Sequence, residues 1–328
     1  MPDIGEAGLK KLNDVLKSIW RRRISDRARD EAYDILRRRK KPSLERAVER
    51  GLIILAADHP ARLNFAVGDD KHALLDRGRL LVKTFTALML DEVDGILLTA
   101  DILDELLILA NVLEDELDMP LKEYLGSKII IGSINRGGLN GSIFELDDRV
   151  TAFRPSDIAK LGLDGAKLLL RIDLSDERTL NTLTYAYEAS RECSDLGLPL
   201  FIEVFPVRKA SNGYSTIDDP YELAAAVNVA SGLGYSTFRR FLKLPFTHDF
   251  EIVARSTTLP IMLLGGGSGD SGVFIKNVRE ALMAGNNVVG VVAGRNILFP
   301  RDSDTETVIK ELRNAINHVK AGKNTSTS

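Results

Sequence analysis

Apolar residues recur along the chain in short runs, each followed by glycine or polar residues and then by a stretch with helical periodicity. Eight such runs predict strands, at residues 52–57, 95–98, 128–131, 166–172, 200–205, 241–244, 261–264 and 288–292. The intervals between them hold a loop and a crossover helix, which makes neighbouring strands parallel. Eight strand–helix units favour closure into a (β/α)8 TIM barrel over an open sheet. One crossover helix is marked at both ends: Asp219-Pro220 supplies an N-cap and a first-turn proline, and Gly232 or Gly234 ends it. A last helix is expected over 304–321.

Residues 6–50 have a different texture, helical and strongly charged, with the clusters Trp20-Arg21-Arg22-Arg23 and Arg37-Arg38-Arg39-Lys40-Lys41. Acidic residues are interleaved with them, so they read as the solvated face of helices that cap the barrel or meet another subunit, not as an RNA-binding surface. The domain reading is a helical extension over 1–50, a barrel catalytic domain over 51–321 and a disordered tail over 322–328.

Composition narrows the partners. The apolar content of 44% can fill a large core, and a net charge of -3 over 328 residues gives no bulk electrostatic case for nucleic acid or membrane. A small molecule is the expected ligand. The single cysteine, Cys193, excludes an intrachain disulfide and fits a reducing compartment. The opening residues lack the basic-then-apolar pattern of a secretory signal, and no run of 18 apolar residues could span a bilayer, so a cytoplasmic location is expected. His59, His72, His248 and His318 are scattered without paired ligand spacing, and no metal is expected.

Lys243, within Phe241-Leu242-Lys243-Leu244, is the residue hardest to explain as structure. A lone ammonium in a buried strand gives up its proton more readily, and a neutral amine is what attacks a carbonyl carbon to form a Schiff base. Period-two alternation points three more charges into the same lumen: Asp58 at the end of the first strand, Lys167 in the fourth and Glu203 in the fifth. Read as mere structure, they would pair Lys167 with Glu203 and Lys243 with Asp58. Apolar replacements would serve a core as well or better, so the cluster points to chemistry. The seventh strand runs into Gly265-Gly266-Gly267 and the eighth into Gly294-Arg295, small residues and backbone N–H groups where a barrel commonly holds phosphate. His59 would line the mouth. Arg62 and the loop from Ser133 to Gly138 are candidate contacts to the other end of a substrate.

In order and placement, Leu55-Ala56-Ala57-Asp58-His59, the 166–171 segment, Phe201-Ile202-Glu203, the 242–247 segment, Leu264-Gly265-Gly266-Gly267 and Gly294-Arg295-Asn296 resemble the class I aldolases of the superfamily that includes deoxyribose-phosphate, tagatose-bisphosphate and archaeal-type fructose-bisphosphate aldolases. The resemblance implies a Schiff base on Lys243, with Asp58, Lys167 and Glu203 in the roles of the tagatose-bisphosphate branch. It also implies phosphate binding after the seventh and eighth strands, no cofactor and no metal, and a homo-oligomer. A tyrosine that some archaeal-type members use as proton donor has no obvious counterpart. The expected substrate is a phosphorylated sugar, either a ketose or a keto-sugar acid of sugar or inositol breakdown, cleaved to dihydroxyacetone phosphate and an aldehyde. The alternatives are a non-covalent phosphosugar isomerase with Glu203 as base and a non-catalytic phosphosugar-binding regulator.

Overall fold

The eight apolar runs become eight parallel strands in the computed structural model, which describes residues 5–267 and 269–326. They are β1 (Leu52–Ala56), β2 (Gly95–Leu98), β3 (Ile129–Ser133), β4 (Gly165–Ile172), β5 (Leu200–Lys209), β6 (Arg240–Leu244), β7 (Ile261–Leu264) and β8 (Val288–Ala293). Each pairs with its sequence neighbour, β8 pairs with β1, and β4 with β5, so the sheet closes on itself as a (β/α)8 barrel. A short antiparallel strand, Tyr214–Thr216, folds back onto the end of β5. At Gly95 the sheet needs glycine: a Cβ would lie 2.2 Å from the Ile129 carbonyl oxygen across the β2–β3 pair.

The alternation predicted from sequence sorts the strand residues into two apolar clusters. Leu52, Ile54, Ala56, Ile129, Ile131 and Met262 fill the lumen, with Phe201 and Phe241 stacked at 4.6 Å between ring centres. Ile53, Leu55, Ile130, Leu168 and Leu242 face outward against the helices. Asp219 caps its helix as predicted, accepting from Tyr221 N and Glu222 N ahead of Pro220–Ser231, and the structure adds a second such cap, Asp76, which accepts from Arg79 N ahead of Arg77–Leu88.

Three helices precede the barrel: α1 (Gly5–Arg23), α2 (Asp26–Arg38) and α3 (Leu44–Arg50). Leu44, Ala47 and Val48 of α3 pack against the lumen cluster at the N-terminal end of the strands and plug it. Leu12, Val15, Ala32, Ile35 and Leu36 of α1 and α2 belong to the apolar cluster of the barrel's outer layer, chiefly against helix Ala100–Leu117. Some of the basic residues here are held by acids: Arg23 lies 3.0 Å from Glu105, Arg38 lies 2.5 Å from Asp34, and Arg39, just after α2, pairs with Asp164. The last helix runs Thr305–Ser326, so residues 322–326, expected in a disordered tail, are helical; 327 and 328 lie outside the described residues. Among the described residues no helix is long and apolar enough to cross a membrane.

Candidate active site

Strand register sets three of the four charged residues. Ser133 of β3 lies opposite Lys167 of β4, and Glu203 of β5 lies opposite Lys243 of β6, each pair on one face of the sheet. Asp58 follows β1 by two residues and stays on the face of Ile54 and Ala56. All four side chains are buried.

Their connectivity is a chain. Glu203 holds both lysines, with Oε1 2.7 Å from Lys243 Nζ and Oε2 2.5 Å from Lys167 Nζ. Lys167 Nζ donates onward to Asp58 Oδ2 at 3.0 Å, and the Ser133 hydroxyl donates to the same oxygen at 3.3 Å. The expected Lys167–Glu203 contact is present, but Lys243 meets Glu203 instead of Asp58, because β5 and β6 are adjacent strands in register while β1 lies beyond β7 and β8.

Burial governs the protonation of this chain. It lowers the proton affinity of Lys243; attraction to Glu203 opposes this and repulsion from Lys167 reinforces it, leaving the ammonium more acidic than an ordinary lysine. For Asp58 and Glu203, burial pushes upward, yet the attraction of Lys167 and Lys243 outweighs it and holds both carboxyls below the usual carboxylate range. The His59 ring stands with Nδ1 3.9 Å from Asp58 Oδ1, and burial together with repulsion from Arg295 pushes it down to about 3, so it is neutral at physiological pH.

These groups line a cleft of about 280 Å³ at the C-terminal mouth of the barrel, where TIM-barrel enzymes place their chemistry. A larger groove of about 1290 Å³ runs between α1, α2 and helix Ala100–Leu117, lined by interleaved Arg, Lys, Asp and Glu, and is remote from the buried lysines. Gly265, Gly266, Gly294 and Arg295 form one wall of the cleft. Arg295 Nη1 donates to Asn64 Oδ1 at 2.8 Å and to the Ala66 carbonyl at 3.0 Å. A Cβ on Gly294 would lie 2.2 Å from the Ala56 carbonyl oxygen and 2.6 Å from His59 Cε1, so only glycine lets β8 end this close to Asp58 and His59. Gly267, expected on this wall, lies behind it: a Cβ there would be 2.9 Å from Arg295 Nη1, and its carbonyl accepts from Gly68 N.

The opposite wall holds residues beyond the four predicted charges. Arg171, on the Lys167 face of β4, lies 3.0 Å from Glu145 Oε1 and 3.5 Å from Asp148 Oδ2. Arg62 pairs with Asp148 and donates to the Asn135 carbonyl at 2.6 Å. Glu145 Oε2 accepts from Gly141 N at 3.0 Å and Tyr214 N at 3.2 Å, joining the loop after β3 to the hairpin after β5. Tyr214 lines the cleft, but its hydroxyl donates to Asp176 Oδ2 at 2.5 Å and is pushed up to about 12, by burial first and then by that carboxylate. It is thereby held as a neutral phenol. The period-two spacing of Lys167, Leu169 and Arg171 carried the signal for Arg171; Glu145 and Tyr214 lie in connections without periodicity. Among the described residues no three His, Cys, Asp or Glu side chains come together as a metal site.

Comparison with known proteins places the chain and its fold. A family model described as Cgl0159-like matches residues 50–312. The crystal structure of Cgl0159 from Corynebacterium glutamicum is 33% identical, with a TM-score of 0.83, over 93% of this chain and 97% of that one. An archaeal fructose-1,6-bisphosphate aldolase, solved with its catalytic lysine covalently bound to the carbinolamine intermediate, superposes with a TM-score of 0.56 at 21% identity, over 83% and 95% of the two chains, and shares the fold. A 2-amino-3,7-dideoxy-D-threo-hept-6-ulosonate synthase of Archaeoglobus fulgidus is 28% identical over 151 residues, which are 46% of this chain and about half, 52%, of that enzyme's length. The chain belongs to the Cgl0159-like family, on a barrel with the fold of an archaeal fructose-1,6-bisphosphate aldolase.

Proposed function

We propose that the protein is a class I aldolase that cleaves a phosphorylated ketose through a Schiff base on Lys243. The observation that carries this reading is the Glu203 bridge: one buried carboxylate touches two buried lysines, one of which is made acidic by its surroundings. A structural ion pair needs one lysine; imine chemistry uses the second. The neutral Lys243 amine attacks the ketone carbon, and Glu203, 2.7 Å from Nζ, carries protons between the nitrogen and the carbinolamine hydroxyl that leaves as water. Asp58, held as a carboxylate, takes the proton of the substrate hydroxyl whose collapse breaks the carbon–carbon bond. The bonding electrons pass into the iminium, an aldehyde departs, and the enamine is protonated and hydrolysed to free Lys243 and dihydroxyacetone phosphate. Lys167, which bridges Asp58 and Glu203, steadies the negative charge that develops beside it. The phosphoryl group is assigned to Gly265, Gly266, Gly294 and Arg295, and His59 contributes a neutral ring to the same wall. The lysine-bound carbinolamine of the archaeal fructose-1,6-bisphosphate aldolase is consistent with this assignment.

The test is to mix the protein with dihydroxyacetone phosphate and sodium borohydride and to locate any reduced adduct by peptide mass spectrometry. An adduct on Lys243 that is absent from Lys243→Ala and Lys243→Arg supports the reading, since guanidinium stays protonated and cannot attack. Absence of an adduct in protein that binds dihydroxyacetone phosphate refutes it.

A further inference from the structure

The substrate's two ends meet walls of different charge, and that difference narrows the substrate class. We propose that the substrate carries one phosphoryl group and is uncharged at its far end: a ketose monophosphate, not a bisphosphate or a phosphorylated sugar acid. The proposal rests on the aldolase reading and deepens it.

The ionised side chains of the cleft fall into three groups. In the centre, Asp58 and Glu203 offset Lys167 and Lys243. On the far wall, Arg62 and Arg171 look like a second anion site, but both guanidiniums are already committed to carboxylates. Arg62 pairs with Asp148; Arg171 lies 3.0 Å from Glu145 and 3.5 Å from Asp148. Glu145 and Asp148 are only 2% and 0% exposed, so neither can turn to solvent if an anion displaces it. A phosphate or carboxylate entering there would strip a guanidinium from a buried acid and then face that acid at close range, a like-charge juxtaposition that discriminates against the ligand. Neutral hydroxyls meet no such obstacle: the same wall offers the Asn140 and Thr216 side chains and the exposed edges of the ion pairs.

The third group is Arg295 alone. Among the described residues no carboxylate lies within ion-pair distance of it, and Nη1 is held by the neutral Asn64 Oδ1 and Ala66 carbonyl. Its Nε is buried without a hydrogen-bond partner. The one guanidinium of the cleft left without an acid partner thus stands beside Gly265, Gly266 and Gly294. One cationic pole accepts one phosphoryl group. Lys243 belongs to β6, next to β7, whose end supplies Gly265; this sets the attacked ketone close to the phosphate and sends the hydroxylated chain toward Arg171. Cleavage would then release dihydroxyacetone phosphate and an unphosphorylated hydroxyaldehyde, which calls for a ketose 1-kinase reaction upstream.

Calorimetric titration of the full chain with glucitol 6-phosphate, 6-phosphogluconate and glucitol 1,6-bisphosphate separates the cases, since none has a ketone and none can form an imine. The monophosphate is expected to bind at least about tenfold more tightly than either compound with an anion at both ends. Glu145→Gln, which keeps an acceptor for Gly141 N and Tyr214 N but removes a negative charge, is expected to narrow that gap. Equal or tighter binding of the bisphosphate or the gluconate overturns the inference and leaves the aldolase reading to its borohydride test. Binding of none of the three at millimolar concentration overturns the phosphate pole itself. Should Glu145→Gln fail to fold, the wild-type ranking decides alone.

Discussion

Replacing Lys167 with methionine removes the middle link of the buried chain, and the structure says how much that should cost. Glu203 keeps Lys243 at 2.7 Å, whereas Asp58 keeps only the Ser133 hydroxyl at 3.3 Å and a neutral His59 at 3.9 Å. One carboxylate is stranded, not two, so the expected loss is that of breaking a single buried pair, about 3–5 kcal/mol. The pH dependence carries the sharper signature. In the wild type, Asp58 is depressed below its unfolded value, about 3.9, and adds stability that is present above that value and lost as pH falls through the folded one. In the variant Asp58 keeps its burial and the attraction of Lys243 but loses both the attraction and the hydrogen bond of Lys167; burial should then prevail, moving the folded value above the unfolded one and reversing the sign, so that stability is present below the unfolded value and lost as pH rises. The gap between the two proteins should therefore be widest near neutrality and shrink toward about pH 4.5. Guanidinium unfolding followed by far-UV circular dichroism reads this; the only tryptophan, Trp20, is exposed on α1 and a poor reporter of the barrel. A gap under about 1 kcal/mol at neutral pH, or one that does not change on acidification, refutes the stranded-carboxylate argument.

Because Lys243 must lose its proton before it attacks, the cleavage rate should rise with pH and level off below the ordinary lysine value of about 10.4, with burial as the main cause; a profile that keeps rising to that value would count against the amine's role. Gly294→Ala should lower stability by about 1–3 kcal/mol and weaken phosphate binding, since its Cβ collides with the Ala56 carbonyl and the His59 ring; an unchanged melting temperature contradicts the close approach. The neutral His59 leaves the unfolded chain holding an extra proton between about pH 6.5 and the folded value, so its contribution is complete above about pH 6.5 and falls on acidification by at most about 1.4 kcal/mol per pH unit. His59→Gln should flatten that part of the stability curve, and an unaltered slope in denaturant midpoints from pH 7 to 5 would show that burial does not hold the ring neutral.

The strands and the central charges were legible in the sequence for the same reason. A barrel imposes alternation, so Lys167, Glu203 and Lys243, each among apolar neighbours, could be assigned a side before any coordinate was known. Pairing was not legible, because which lysine meets which acid depends on register: Glu203 lies opposite Lys243, while Lys167 lies opposite Phe201, two positions short of Glu203. Arg171 followed from the alternation of Lys167 and Leu169 and was passed over as a motif residue. Glu145 and Tyr214 carried no such signal, since they reach the cleft from a long loop and a hairpin whose paths are set by hydrogen bonds between them. Gly267 shows the opposite limit: a glycine run marks a tight turn without saying which of its members faces the ligand.

The packed lumen, covered at its N-terminal end by Leu44, Ala47 and Val48, leaves the barrel open only at its mouth. Whatever enters by the mouth must leave by it, so in the proposed cleavage the reactant, both fragments and the water that frees Lys243 would share one corridor.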